Sequence, residues 1–162
     1  MTGKIIKKMA EVQIFLGTGF LLVFFVVVSL QVLFRYIGVS AMWTEDISQY
    51  SFIWSAFMGA SAMVYYKQHF AFASLKDRVG GRMKYLYDIL VSAAMLLFVG
   101  TMAVTGWKPV LSFWNHRWIG IPSFKMGYVW LCIPLTGITC TVYLLYHMAR
   151  DISMAVKGGE EV

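Results

Sequence analysis

Four long apolar segments dominate the pattern of hydrophobic and polar positions along the chain. They cover residues 12–34, 47–66, 89–107 and 126–149, and none contains Asp, Glu, Lys or Arg. Each is close to the length of about 20 residues that a helix needs to cross about 30 Å of hydrocarbon. One such segment would fit a buried helix of a soluble protein, but four in series, with charge only between them, indicate membrane spans. The runs are continuous rather than alternating, which argues against a transmembrane β-barrel.

The pattern therefore predicts an all-α integral membrane protein, folded as one domain over residues 1–162. The four transmembrane helices are expected at about 12–34, 47–66, 86–107 and 126–147. Composition agrees, because 59% of residues are hydrophobic and 14% are charged, against about 25% charged in soluble domains. The basic residues before the first segment resemble the start of a signal peptide. The segment is too long for one and no small-residue cleavage motif ends it, so we expect a retained anchor.

Basic residues predict the orientation, since they accumulate in cytoplasmic loops. With the N-terminus inside, ten basic residues lie in the cytoplasm and four lie outside. The four outside are Arg35, Lys108, Arg117 and Lys125, and the other ten fall before the first segment, between the second and third, and after the fourth. Both termini are therefore expected in the cytoplasm. The net charge of +6 reflects this bias and attraction to anionic headgroups rather than binding to nucleic acid.

The entry to the second segment carries a compact polar motif. Thr44 is expected as its N-cap, and Glu45 and Asp46 then fall in the first helical turn, where acidic groups complement the helix dipole. Arg35, at the end of the first segment, is near enough in sequence to pair with one of these carboxylates. The motif is consistent with helix capping and an interfacial ion pair, and also with a contact for a partner.

Small residues recur within the second segment at Ser51, Ser55 and Gly59. Four-residue spacing places them on one helix face, where they let another helix approach closely. Packing within this chain and packing against another subunit explain the stripe equally well.

The two longer connections differ in character. The inner one, residues 67–84, is the most basic, and its apolar residues recur at helical spacing, so it forms either a short amphipathic helix in the interface or a solvated loop. The outer one, residues 108–125, is rich in tryptophan. With Trp43, Trp54, Trp107 and Trp130, its indoles place all six tryptophans towards the outer side, beyond what an interfacial belt requires. Lys108, Arg117 and Lys125 are therefore candidates for docking a periplasmic partner. Pro134 is expected to kink the fourth helix.

The sequence does not predict a catalytic, cofactor or metal site. Ionisable residues within spans usually mark ion paths, and their absence from the four segments argues against a pump that works alone. His69 and His147 would suit a haem-binding membrane anchor or cytochrome-type redox subunit, although interfacial histidines explain them more simply. A small homo-oligomeric channel is a third alternative. Cys132 and Cys140 are too far apart along one predicted helix to form a disulfide.

Several of these residues resemble the small membrane subunit, the Q subunit, of tripartite ATP-independent periplasmic (TRAP) transporters. In that family an Arg-Tyr pair closes the first helix, and a Trp-Ser/Thr-Glu-Glu/Asp run opens the second, which continues with a Trp and a Gly-Ala pair. The matching residues here are Arg35-Tyr36, Trp43-Thr44-Glu45-Asp46, Trp54, Gly59-Ala60, His69, Leu75-Lys76-Asp77-Arg78, Gly120-Ile121-Pro122, Tyr128 and Pro134. The likeness covers the chain from helix one to helix four.

The resemblance implies a non-catalytic accessory subunit in the bacterial inner membrane. Its partners would be a large membrane subunit, which carries the sodium and substrate sites and moves as an elevator, and a periplasmic binding protein that delivers an organic acid such as sialic acid or a C4-dicarboxylate. The small subunit would enlarge and steady the scaffold, as a chain separate from the large subunit. Arg35, Trp43, Glu45 and Asp46 are expected to support the outer face.

Overall fold

The computed structural model describes residues 2–66 and 82–156 of the chain, and the described residues form six helices. Four are long: α1 (Thr2–Tyr36), α2 (Met42–Tyr65), α3 (Arg82–Thr105) and α6 (Cys132–Val156). Between α3 and α6 lie two short helices, α4 (Trp107–Ser112) and α5 (Gly127–Trp130). The inner connection, expected as either a short interfacial helix or a solvated loop, falls largely outside the described residues.

Three stretches of the described chain are long and apolar enough to cross a membrane, namely Gly3–Tyr36, Leu86–Ser112 and Gly127–Ser153. They confirm three of the four predicted spans and the all-helical class. Helix α2 does not reach the same hydropathy, although its 24 residues extend about 36 Å at 1.5 Å per residue. The reason lies in its buried face, which is made largely of Ser, Thr and Asp side chains.

Helices α1 and α2 pack antiparallel along much of their length. Near the middle of α1, a Cβ on Gly17 would lie only 3.1 Å from the Cβ of Met58, so the glycine allows the close approach. Further out, the rings of Phe20 and Trp54 are 5.8 Å apart. At the far end, the rings of Phe34 and Trp43 are 6.2 Å apart. The two helices therefore form one helical hairpin.

Helix α6 joins this hairpin to α3. Its Thr139 contacts Ser61 of α2 at 2.9 Å, and farther along both helices His147 contacts the carbonyl of Tyr65, so α6 runs parallel to α2. Against α3 it runs antiparallel and very close, because a Cβ on Gly137 would lie 2.5 Å from the backbone nitrogen of Ala103. The four long helices thus alternate in direction.

A compact apolar core lies at the end of the bundle where α1 begins. Its buried members are Ile6, Ala10, Val64, Val99, Cys140, Tyr143 and Leu144, which come from all four long helices. Gly3 of α1 sits against the phenol of Tyr146 in the second half of α6. The start of α1 and the later part of α6 therefore lie at the same end of the molecule. Cys132 and Cys140 are buried and free, as predicted.

One local prediction is wrong in detail, and a second stays open. Helix α2 begins at Met42 with Ala41 as its N-cap, and no side chain caps it. Thr44 lies inside the first turn instead, where its hydroxyl donates to the carbonyl of Ala41 at 2.7 Å. Pro134 lies in the first turn of α6, just after the interruption at Leu131 that separates α5 from α6. Leu131 keeps helical backbone angles and its N–H donates to the carbonyl of Gly127 at 3.2 Å, whereas Pro134 has no N–H to donate to the carbonyl of Trp130. The interruption therefore falls where the proline removes a helical hydrogen bond, and the kink itself stays a prediction.

Candidate functional site

The side chain of Gln13 is the hub of a polar cluster between α1, α2 and α6. Its Nε2 donates to Thr139 Oγ1 at 3.1 Å. Its Oε1 accepts from Tyr143 Oη at 2.6 Å and from Ser61 Oγ at 3.1 Å. Ser61 and Thr139 are 2.9 Å apart, and the thiol of Cys140 lies 3.6 Å from Ser61 Oγ. We call these five residues the Gln13 cluster.

Every member of the Gln13 cluster is at most 8% exposed. In a membrane a polar side chain is stabilised by a partner on a neighbouring helix, because lipid offers none. Here the amide oxygen of Gln13 accepts hydrogen bonds from α2 and α6, and the amide nitrogen donates one to α6. The cluster therefore fixes the rotation and the relative height of α1, α2 and α6, and its chemistry is that of a structural fastener.

The small-residue stripe of α2 divides between two environments. Ser51 and Ser55 are buried inside the protein, and the hydroxyl of Ser51 is bonded to the backbone of its own helix. Gly59 is half-buried. It lines a surface groove of about 450 Å³ between α1 and α2, together with Gly17 and other residues of both helices. The close contact that the stripe predicts thus occurs within this chain, at Gly17 of α1.

At the opposite end of the bundle, Asp46 fastens the outer connection to α2. Its side chain is 6% exposed, and Oδ2 accepts the backbone N–H of Gly120 at 2.6 Å. Gly120 has no room for a side chain, because a Cβ there would lie 2.5 Å from the backbone nitrogen of Trp43. A carboxylate that accepts a buried N–H makes one of the stronger kinds of hydrogen bond. Asp46 and Gly120 together form a clasp between two distant parts of the chain.

The clasp holds a short hairpin, formed by residues 113–126. Arg117 and Lys125 form an antiparallel bridge, the N–H of Trp118 donates to the carbonyl of Phe124 at 3.1 Å, and the N–H of Met126 donates to that of His116 at 2.8 Å. The segment rich in tryptophan is therefore an ordered element rather than a loose connection.

Aromatic rings seat the hairpin on the bundle. Trp118 packs against Tyr50 of α2 with ring centres 4.6 Å apart and against Phe124 at 5.1 Å. Trp114 contacts Tyr128 at 5.5 Å, and Phe113 stacks on Trp130 at 5.4 Å. The predicted concentration of tryptophans thus corresponds to a packed aromatic layer beneath the hairpin.

The three basic docking candidates have different surroundings. Lys108 and Arg117 are exposed and Lys125 is half-buried. Arg117 and Lys125 are brought together by the hairpin, where Arg117 donates to the carbonyl of Pro122 at 3.1 Å and the ammonium of Lys125 lies 5.4 Å from the ring centre of Trp114. Lys108 lies apart from them on α4. Two of the three charges are therefore presented on a rigid element.

The proposed ion pair of Arg35 is not formed. Arg35 and Glu45 are both exposed, and neither lies within 4.0 Å of an oppositely charged group of the described chain. Asp46 uses its carboxylate for Gly120 instead. Glu45 does lie in the first turn of α2, as predicted. The ring of Trp43 packs against Phe34, and its backbone lies against Gly120, so Trp43 contacts its neighbours at this end of the bundle through both its side chain and its main chain.

The structure describes one of the two histidines considered for haem binding. His69 lies outside the described residues. His147 is buried, and its Nε2 lies 2.6 Å from the backbone carbonyl of Tyr65, so that nitrogen is engaged within the protein. Within residues 2–66 and 82–156, no group of three or more His, Cys, Asp or Glu side chains is arranged to hold a metal ion.

Sequence reasoning missed Gln13, Tyr143 and Gly137. An amide inside an apolar segment was a usable signal for Gln13, because such a group needs a partner on another helix. Serine and threonine carry less information, because their hydroxyls also bond to their own helix. Thr139 does both, donating to the carbonyl of Leu135 at 3.0 Å besides joining the cluster.

Comparison with known proteins identifies the family. Residues 24–154 match the family model described as tripartite ATP-independent periplasmic transporters, DctQ component. The match begins in the last part of α1, at residue 24, and continues nearly to the end of α6. No curated protein matches the chain. Because the family model covers well over half of the sequence and includes the clasp, the hairpin and α6, the chain belongs to the DctQ component family of the tripartite ATP-independent periplasmic transporters.

Proposed function

We propose that this chain is a non-catalytic scaffold subunit of a sodium-coupled secondary transporter in the bacterial inner membrane. The transporter imports an organic acid, of the sialic acid or C4-dicarboxylate type, that a periplasmic binding protein delivers. A large membrane subunit binds sodium and substrate and moves between the two sides. This chain widens and steadies the part of the assembly that stays still, and membership of the DctQ family supports that division of labour.

The observation that carries the proposal is the closed Gln13 cluster. A transport path needs polar groups that are free to exchange partners with an ion or substrate. The polar side chains at the centre of this bundle bond to one another across three helices. Such an arrangement stabilises a single packing of the three helices. This suits a subunit that stays still while another subunit moves against it.

Helix α2 completes the membrane domain as a fourth span in this proposal. It lies antiparallel along α1 from Trp43, beside Phe34, to Met58, beside Gly17, so a membrane crossed by α1 is also crossed by α2. Its buried serines lower its hydropathy without facing lipid. Four spans bring both termini to one side, and the distribution of basic residues places that side in the cytoplasm.

The hairpin then lies on the periplasmic side, where it suits contact with the binding protein. Arg117 and Lys125 are paired across it by an isolated antiparallel bridge, and Lys108 is exposed on the neighbouring α4. Like charges held next to each other on a rigid element attract a partner with an acidic surface and speed its approach. Asp46 contributes indirectly, because it holds the hairpin through Gly120.

Affinity purification of the chain in mild detergent from its native membrane tests the central claim. We expect a large polytopic membrane protein to accompany it in a fixed ratio. Proteoliposomes that contain both chains, with the binding protein outside, should take up the acid when sodium is added, and omission of this chain should lower that uptake. A chain that purifies alone and carries a haem spectrum or conducts ions by itself would contradict the proposal.

Reversal of the three outer charges tests the docking role separately. The triple variant K108E/R117E/K125E should still assemble with the large subunit but should bind the binding protein more weakly and transport more slowly. The matched control K108R/R117K/K125R keeps every charge and should transport normally. Equal transport by the two variants would refute the docking role and leave the scaffold proposal standing.

A further inference from the structure

A second groove runs along α1 on the face that also contacts α2 and α6. Its volume is about 430 Å³, and its walls include Ile5, Met9 and Leu16 of α1, Met58 of α2 and Leu135 of α6. The lining is almost entirely apolar. Gln13 and Thr139 also border it, but their polar groups are bonded to each other. The groove therefore offers an occupant apolar contact and very little hydrogen bonding.

One charged side chain borders this groove, and it is Lys8. Lys7, the residue before Lys8, forms an ion pair with Glu11, whose carboxylate lies 3.6 Å from its ammonium. Lys8 has no ion pair within the described part of the chain. The groove thus has a single uncompensated positive charge, placed towards the end where α1 begins.

The dimensions of the groove match those of a lipid chain. From Lys8 to Leu16 is about 12 Å along a helix, which fits within the depth of about 15 Å of half of a 30 Å hydrocarbon layer. The Leu16 end lies in the charge-free segment 12–34, whereas Lys8 lies before that segment begins. Lysine near a span extends its ammonium to the headgroup level while its methylenes stay on apolar surface. The apolar wall of the groove and the positive charge of Lys8 therefore follow each other along α1 in the same order as the acyl chain and the headgroup phosphate of a phospholipid.

We propose that this groove binds one anionic phospholipid of the cytoplasmic leaflet, with an acyl chain along α1 between Met58 and Leu135 and the headgroup phosphate at Lys8. The lipid would fill the space where three helices meet over the Gln13 cluster. The inference rests on the proposed cytoplasmic N-terminus only for the leaflet, and the groove and its charge are independent of any role in transport.

Native mass spectrometry of the full chain, released from detergent after addition of lipid, tests the proposal. The probes are phosphatidylglycerol and phosphatidylcholine with identical palmitoyl and oleoyl chains. We expect the wild-type chain to retain phosphatidylglycerol about fivefold better, the effect of one favourable lysine contact at a membrane surface. Lys8→Gln should bring the two lipids to parity, Lys8→Arg should keep the preference, and Lys7→Gln, which alters the paired neighbour, should also keep it.

Two results would overturn the proposal. One is a lipid preference that is the same in Lys8→Gln as in the wild-type chain. The other is the presence of protein in the groove, which a photo-crosslinking residue at position 135 would reveal by joining the chain to another protein in the native membrane instead of to lipid. Failure of the scaffold proposal would look different, because a chain that purifies without a large subunit can still show the lipid preference.

Discussion

At the scale of single residues, Asp46 has the most informative contact. Its carboxylate accepts the N–H of Gly120 at 2.6 Å in a buried setting. We expect Asp46→Ala to lower the free energy of unfolding by about 1.5–3 kcal/mol, the range for hydrogen bonds to charged groups. Asp46→Asn keeps an oxygen acceptor without the charge, so its free energy of unfolding should lie between those of the wild-type chain and Asp46→Ala. Unfolding in mixed micelles, followed by tryptophan fluorescence, measures the difference.

Glu45→Gln is the matched control for Asp46, since it removes the neighbouring carboxylate, which is exposed. It should change stability by less than about 0.5 kcal/mol. Equal losses at positions 45 and 46 would mean that the general charge at the helix start matters and that the clasp does not.

Gln13 permits a second residue-scale prediction. Gln13→Leu preserves much of the side-chain volume but leaves the hydroxyl of Tyr143 without its acceptor, so we expect a loss of about 1–3 kcal/mol in the free energy of unfolding. Gln31→Leu makes the same change farther along the same helix, where the described structure gives the amide no hydrogen bond, and should be nearly neutral. The same unfolding measurement compares them, and equal effects would argue against the cluster as a fastener.

The sequence predicted the local role of the residues at the start of α2 better than it predicted their bonding partners. The acidic start of α2 was foreseen from helix electrostatics, which are local, and Glu45 fits it. Asp46 bonds to a backbone group 74 residues away, and nothing near either residue specifies the other. The expected cap at Thr44 is wrong because the N-cap of α2 is Ala41, three residues earlier, and Thr44 is fully buried inside the first turn.

At the scale of helices, the closest packing is between α3 and α6. A Cβ on Gly137 would meet backbone atoms of Ala103 at 2.5 and 2.7 Å, and backbone cannot move aside as a flexible side chain can. Gly137→Ala should therefore force the helices apart and cost about 1–3 kcal/mol. Gly100→Ala is the control on α3, because a Cβ there meets nothing within 4 Å, and it should cause no loss. Thermal unfolding of the two variants in detergent decides between them, and a stable Gly137→Ala chain would show that the contact is not limiting.

The helices themselves were predictable because hydropathy is a local property, and three of the expected spans are confirmed. Helix α2 shows where that logic ends. Its polar side chains Ser48, Ser51, Ser55 and Ser61 are buried, while Phe52 is half exposed. A helix whose polar face packs on protein has a low mean hydropathy whatever its apolar face contacts, so hydropathy alone does not decide whether α2 crosses the membrane. Sequence also could not say that a glycine of α6, Gly137, would lie against the backbone of another long helix more closely than any glycine of α2 does.

At the scale of the whole molecule, the alternating directions of the four long helices connect the geometry to topology. The direction of each helix is visible in the contacts, whereas the side of the membrane is a prediction from basic residues that lie mainly before, between and after the spans. The order in which the helices pack was not predictable, because parallel contact between α2 and α6 depends on the Gln13 cluster. A test of topology must therefore examine α2 in particular, since its hydropathy alone does not assign it to the membrane.

Cysteine labelling in intact cells and in inverted vesicles provides that test, with a maleimide that cannot cross membranes. The wild-type chain is a suitable background, because Cys132 and Cys140 are 1% and 2% exposed and should not react. Cysteines introduced at Ser40 and Tyr66, both exposed and just beyond opposite ends of α2, should label from opposite sides: Ser40→Cys in intact cells and Tyr66→Cys only in inverted vesicles. Lys4→Cys should label with Tyr66→Cys, and Ser123→Cys in the hairpin should label with Ser40→Cys. If Ser40→Cys and Tyr66→Cys label from the same side, α2 does not cross the membrane, and a hairpin reached only in inverted vesicles would place the docking face in the cytoplasm, where a periplasmic binding protein cannot meet it.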